Sequence, residues 1–277
     1  MSTNTSSSSS VGFIPSREVR FYSSSMYCFD VHESSHVSCI FSIQDYFYRH
    51  AKEEGFRARS AYKLLHVDEV LNIFKGVTRA VDLCAAPGSW SQLLARELTK
   101  NATDAGCSHE DVKIAAVDLQ EMAPIPGVNI IQGDITLPET ADRIVNIFEG
   151  KHAQLVVCDG APDVTGLHQV DEYLQSQLLF AAIAIAARVS QAGAAFCAKI
   201  FKGDCLDLLI TQLQCLYEQV DVIKPSSSRI RSAEHFIVGR NFRYGATLPP
   251  MLGTDDTHMD ATLRTLRRRL AMGDLDE

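Results

Sequence analysis

The chain has 277 residues, 46% of them hydrophobic and 22% charged, with a net charge of −8. That balance is globular and excludes a disordered or fibrous polymer. The longest apolar stretch, Leu178 to Ala187, is about half of the ~20 residues a membrane span needs, so a membrane partner is not expected. Net acidity weighs against RNA binding, but the cations are clustered. Arg49, Lys52, Arg57, Arg59 and Lys63 fall in one segment, and Lys224, Arg229, Arg231, Arg240 and Arg243 in another. Local patches matter more than the total for a nucleic-acid partner. The eight cysteines form no C-x-x-C pair, so no zinc or other metal site and no disulfide framework is readable. A reducing compartment, the cytoplasm, is the simple inference.

Residues 1–44 open with a Ser/Thr-rich tract and read as a low-complexity, disordered extension. A transit peptide is the competing reading, weakened by Glu18, Asp30 and Glu33. The domain is expected over 45–243. Residues 45–73 predict two helices, the second carrying Tyr62, Lys63, Leu64, Leu65, Val67, Val70 and Leu71 at helical spacing. Arg57 and Arg59 precede it. A cation at a helix start gains nothing from the dipole, which favours phosphate contact over a solvated face.

The run Ala80-Val81-Asp82-Leu83-Cys84-Ala85-Ala86-Pro87-Gly88-Ser89-Trp90 then reads as a buried strand breaking into a helix. Its small residues let a ligand approach the backbone. It lacks the three glycines of a dinucleotide loop. Lys113 to Asp118 is a second buried strand ending in an acid, the place where nucleotide-binding α/β folds hold ribose hydroxyls. Val128 to Asp134 is a third strand ending in Gly133-Asp134, a pair that ordinary turn chemistry also explains. Leu155 to Cys158 is a fourth, followed by Asp159. Four such features at one sheet edge make a site. A long, largely buried helix follows over 170–189, with Glu172 and Tyr173 near its start. The apolar strand Ala194 to Phe201 then contains Lys199. A lysine in a buried strand is costly unless it snorkels or is paired for chemistry, and an acid facing it at Asp159 favours the second. A helix over 206–217, a short strand over 220–223, a Ser/Arg-rich loop and a last strand opened by Glu234 complete the domain. The tail 244–277 contains a short basic amphipathic segment, 262–270.

Taken together, D-L-C-A-A-P-G-S-W-S-Q, R-S-A-Y-K and C-D-G-A-P-D-V-T-G-L-H-x-V-D-E-Y resemble the FtsJ-type RNA 2′-O-ribose methyltransferases, over about 45 to 243. They are most similar to the eukaryotic branch acting on the tRNA anticodon loop. The resemblance implies an α/β, Rossmann-like methyltransferase fold, with a mostly parallel central sheet and helices on both faces, and S-adenosylmethionine as cofactor. It implies a catalytic set of Lys63, Asp159, Lys199 and Glu234, and cofactor contacts from Gly88, Trp90, Asp118, Asp134 and Asp159. It implies tRNA as partner, with an auxiliary protein subunit selecting the nucleotide. One departure from the family is the stretch His32 to Gln44, which lacks the basic lead-in. Methyl transfer to a ribose hydroxyl needs alignment, a base and stabilisation of the developing alkoxide. Lys199 is the expected base, although either lysine of the set meets the requirement. The competing readings are an rRNA 2′-O-methyltransferase, a non-catalytic RNA-binding scaffold and an NAD-dependent dehydrogenase.

Overall fold

Three strands in the middle of the chain are buried along nearly their whole length. They are β2 (Arg79–Leu83), β3 (Lys113–Asp118) and β5 (Ala153–Cys158). Such continuous apolar runs suit parallel strands covered on both faces. A computed structural model describes residues 19–22, 46–161, 168–201, 206–225, 227–228 and 232–245, without the side chains of 168–173. Among these residues, eight strands make one sheet in the order β1-β7-β8-β6-β5-β2-β3-β4. The others are β1 (Val19–Tyr22), β4 (Val128–Gln132), β6 (Ser190–Phe201), β7 (Tyr217–Ile223) and β8 (Glu234–Phe242). Only the pairings made by β8 are antiparallel. The architecture is the expected α/β fold with a mostly parallel sheet.

Side-chain alternation along the strands builds a core on each face. On one face Val81, Leu83, Val117 and Val156 pack against α4 (Pro138–Ile147) and α5 (His168–Val189). On the other, Ala80, Ile114, Leu155 and Val157 pack against α2 (Ala61–Leu71) and α3 (Ser89–Asp104). In α3 the buried Trp90, Leu93, Leu94 and Leu98 recur at the three- and four-residue spacing of a single helical stripe. Full burial of each leucine contributes about 1.5–3 kcal/mol. A further helix, α1, spans residues 46–53, and α6 (Leu206–Leu216) runs directly into β7.

The sheet order reverses between β2 and β5. From β2 the chain winds outward through β3 and β4, and from β5 it winds the other way through β6. That is a topological switch point, where open α/β sheets bind ligands beyond the strand C-termini. The ends are in register there, with Leu83 beside both Val117 and Cys158.

Two elements depart from the sequence expectations. The first is β1, which comes from within the 1–44 segment expected to lie outside the domain. It pairs in parallel with β7 at the sheet edge, from Val19↔Val220 to Tyr22↔Ile223. Four residues with Phe21 exposed carry too little apolar pattern to mark a strand without their partner. The second is α4, which no expectation covered. The Ser/Thr tract and most of 1–44, the side chains of Glu172 and Tyr173, Arg229, Arg231 and the basic segment 262–270 lie outside the described residues.

Candidate active site

The loop between β2 and α3 is fastened from three sides. The Ala85 amide donates to the Val117 carbonyl at 3.1 Å, and the Ala86 amide to Asp118 Oδ2 at 2.8 Å. Ala86–Pro87 is a cis peptide bond. Gly88 caps α3 with φ of 105°. A Cβ there would meet Ile125 Cδ1 at 2.6 Å and Arg57 Nη1 at 2.9 Å. Glycine is therefore required by both backbone and neighbours, and these two side chains close on its Cα.

Arg57 is the third fastening. Its Nη1 donates to the Pro87 carbonyl at 2.9 Å, its Nη2 to the Pro124 carbonyl at 3.0 Å, and its amide to Gln92 Oε1 at 2.8 Å. The expectation of a phosphate contact is corrected for this residue: its guanidinium braces the loop from above. Arg240 and Arg243 are also used within the fold, on Asp221 and on the Gln214 carbonyl.

The expected acids stand at the same edge. Asp118 ends β3, and its Oδ1 accepts from the Gln120 amide at 2.8 Å. Asp134 follows β4, and its Oδ1 accepts from the Thr136 amide at 2.7 Å. Asp159 follows β5. The loops after β2 and β5 touch: a Cβ on Gly160 would lie 2.9 Å from Cys84 Sγ. A hydrogen bond with Cys158 and burial push the Cys84 thiol up from its ordinary range. Trp90 does not join this group through its side chain. The ring is 1% exposed, its Nε1 donates to the Ser60 carbonyl at 2.9 Å, and it packs 5.7 Å from Phe236.

Lys63, Asp159, Lys199 and Glu234 resolve into two ion pairs. Lys63 Nζ donates to Glu234 Oε1 at 2.5 Å, with both side chains about seven-eighths buried. Lys199 Nζ donates to the Asp159 carbonyl at 2.5 Å and lies 2.9 Å from Asp159 Oδ1 without hydrogen-bond alignment. Register brings the pairs together. On β6 and β8, Phe201 faces Glu234 and Lys199 faces Phe236. Lys199 and Glu234 are thus diagonal neighbours on one sheet face, about 7–8 Å apart along the backbone. That face is the one covered by α2, which supplies Lys63. The site holds two cations and two anions, with a lysine beside each carboxylate.

Asp82 is a buried acid beside this edge that the sequence expectations did not single out. It is fully buried, and its Oδ2 accepts from Ser91 Oγ at 2.6 Å while Oδ1 has no partner. Burial, then the neighbouring charges of Asp159 and Asp118, push its carboxyl up to about 7. The signal was available, since a charged residue inside a buried strand is what singled out Lys199.

Comparison with known proteins follows this geometry. Residues 56–242 match the family model described as FtsJ-like methyltransferase. A tRNA (cytidine(32)/guanosine(34)-2′-O)-methyltransferase of Schizosaccharomyces pombe is 49% identical over 234 residues, covering 84% of this chain and 82% of the relative. Ribosomal RNA large subunit methyltransferase E of Methanothrix thermoacetophila is 38% identical over 197 residues, covering 71% of this chain and 72% of the relative. A solved Plasmodium falciparum structure, assigned to a ribosomal RNA methyltransferase, superposes with a TM-score of 0.58 at 25% identity, covering 68% of this chain and 98% of that one. These matches set aside the dehydrogenase alternative. A methyltransferase loop at the switch point, two lysine–carboxylate pairs beside it and relatives of nearly half identity over most of both chains have one reading in common: the chain belongs to the FtsJ-like methyltransferase family.

Proposed function

We propose that this chain transfers the methyl group of S-adenosylmethionine to ribose 2′-hydroxyls in the tRNA anticodon loop, at the positions 32 and 34 that its fission-yeast relative's name gives. The observation that carries the reading is the pair of lysine–carboxylate contacts beside the braced β2–α3 loop.

The residues at this edge suit the cofactor. It carries a cationic sulfonium and an ammonium group, and Asp118, Asp134 and Asp159 gather negative charge where the strands end. One of their oxygens, Asp159 Oδ1, is buried 2.9 Å from Lys199 Nζ with no aligned hydrogen bond. When bound, the cofactor supplies a methyl group already activated by its positive sulfur. Gly88 and the first turn of α3 at Trp90 would form the loop wall, Asp118 would hold ribose hydroxyls, Asp134 would accept from the adenine amino group, and Asp159 would offset the cofactor's positive charge.

The 2′-hydroxyl is weakly acidic and must lose its proton as it attacks. Lys199, held by Asp159, takes that proton. Lys63, held by Glu234, offsets the charge developing on the oxygen. Aligning oxygen and methyl accounts for much of the remaining barrier. The described cysteines are all free thiols, which suits the cytoplasm. A separate subunit that selects the nucleotide fits a chain many of whose described basic residues, such as Arg57, Arg79, Arg143, Arg240 and Arg243, are engaged internally.

The test uses RNA from cells lacking this protein, incubated with labelled cofactor, extract of the same cells, and wild-type protein or Lys199→Ala. Ribose label on tRNA is expected, reduced about 10²–10⁴-fold by the substitution. Label on large rRNA would replace the tRNA reading. Absence of label in every fraction, with cofactor binding intact, would replace it with a scaffold.

A further inference from the structure

Beside the lysine pairs lies a polar cleft of about 190 Å³, lined by Arg59, Lys63, Ser227, Ser228, Ser232 and Glu234. Two of its six described lining residues belong to the catalytic set, and none of the other four takes part in the proposed methyl transfer. The Arg59 guanidinium has no hydrogen-bond or carboxylate partner among the described residues. Arg57, two positions earlier, is committed to the Pro87 and Pro124 carbonyls. The Oγ atoms of Ser227 and Ser228 are shielded from water and also lack a partner among the described residues. Buried hydroxyls are rarely left this way. Glu234 is paired with Lys63, so among the described lining residues the unpaired charge is that of Arg59.

A guanidinium and two hydroxyls that have no partner among the described residues suit an anion with several acceptor oxygens, and phosphate meets that need. On a ribose, the 2′-oxygen and the 3′-phosphodiester sit on adjacent carbons. A ribose presenting its 2′-oxygen to Lys63 and Lys199 therefore keeps its 3′-phosphate close to the lysines, nearer than its 5′-phosphate, and the cleft lined by Lys63 is a described space within that reach. We propose that this cleft is the subsite for the 3′-phosphodiester of the target nucleotide, held by Arg59 with Ser227 and Ser228. The inference rests on the ribose-methylation reading and deepens it: the enzyme recognises an internal nucleotide through the linkage that follows it.

The experiment compares three tRNAs assembled by splinted ligation. One is unmodified, one has an uncharged methylphosphonate on the 3′ side of the target nucleotide, and one has it on the 5′ side. Methyl transfer at limiting RNA is measured for the full chain, with extract of cells lacking it, for wild type, Arg59→Ala, Arg59→Lys and Ser227→Ala/Ser228→Ala. Cofactor binding by each variant confirms that it is folded. The 3′ neutralisation is expected to lower wild-type kcat/KM about 10- to 100-fold and the 5′ neutralisation to change it little. Arg59→Ala should show a similar loss on unmodified tRNA and almost none beyond it on the 3′-neutral tRNA. Arg59→Lys should recover part of the loss, and the serine pair should lose less than Arg59→Ala. Additive losses, or sensitivity to the 5′ linkage instead, overturn the subsite while leaving ribose methylation standing. No label from wild type on unmodified tRNA removes the functional reading, and the subsite with it.

Discussion

Carboxylates at a single sheet edge are employed differently on its two sides. On the β2–β4 side they are tied to backbone amides and a hydroxyl: Asp118 to Ala86 and Gln120, Asp134 to Thr136, Asp82 to Ser91. On the β5–β6–β8 side they are tied to lysines: Asp159 to Lys199 and Glu234 to Lys63. The first kind of contact fixes the shape of the main chain, because removing the acceptor strands an amide. In the proposed reaction the second holds charge that re-pairs when an alkoxide appears. Residue type and location are shared, so the partner marks the difference: under the proposed function the first side is a mould for the cofactor and the second supplies the chemistry.

Asp82 offers the largest break in that comparison. Its carboxyl is raised from an ordinary value near 3.8 up to about 7 by burial and by the charges of Asp159 and Asp118. The folded chain thus keeps a proton that the unfolded chain gives up. The stability from this group is complete below about pH 4 and is lost as pH rises through about 7. Asp82→Asn retains an acceptor for Ser91 and cannot ionise. Denaturant unfolding across this window should show the variant gaining on wild type as pH rises, by on the order of 2–4 kcal/mol, and then levelling off. A difference that does not change with pH would mean that Asp82 loses its proton in the fold as readily as in the unfolded chain.

Gly88→Ala attacks the mould more mildly. The substitution forces a side chain into φ of 105° and against Ile125 and Arg57. Strain of this kind costs about 1–3 kcal/mol. Because the strain falls in the β2–α3 loop, cofactor affinity should drop with stability. Calorimetric titration with S-adenosylhomocysteine, beside a melting curve, measures both. Unchanged affinity in a destabilised variant would separate the loop from the ligand site.

The parallel strands were legible because their burial on both faces leaves an unbroken apolar run, and the acids because each ends such a run. Lys199 was legible because a lysine among Ala198, Cys197 and Ile200 needs a reason. Partner choice was less accessible. Nothing in the spacing of Trp90 says that its indole turns to the Ser60 carbonyl, because that depends on α2 crossing α3. Nothing in Val19–Tyr22 announces a strand, because the pattern is completed by β7, about 200 residues later. The same holds for Arg57 and Arg59. They are the same residue type with similar neighbours, and the sequence assigned both to phosphate.

Those two arginines give the smallest but most discriminating test. Arg57 donates two hydrogen bonds to loop carbonyls at a partly exposed site, so Arg57→Ala should cost about 1 kcal/mol of stability. Its functional effect should fall on the cofactor, as a several-fold weaker Kd with kcat at saturating cofactor nearly retained. The KM for tRNA and its dependence on salt should stay put, because no phosphate contact has been removed. Arg59→Ala should do the reverse, sparing cofactor Kd and lowering the salt slope of tRNA binding by about one unit. If Arg57→Ala changed the salt slope and Arg59→Ala did not, the mould would extend further from the sheet than the hydrogen bonds of Arg57 indicate. The RNA path would then run over the β2–α3 loop instead of along β8.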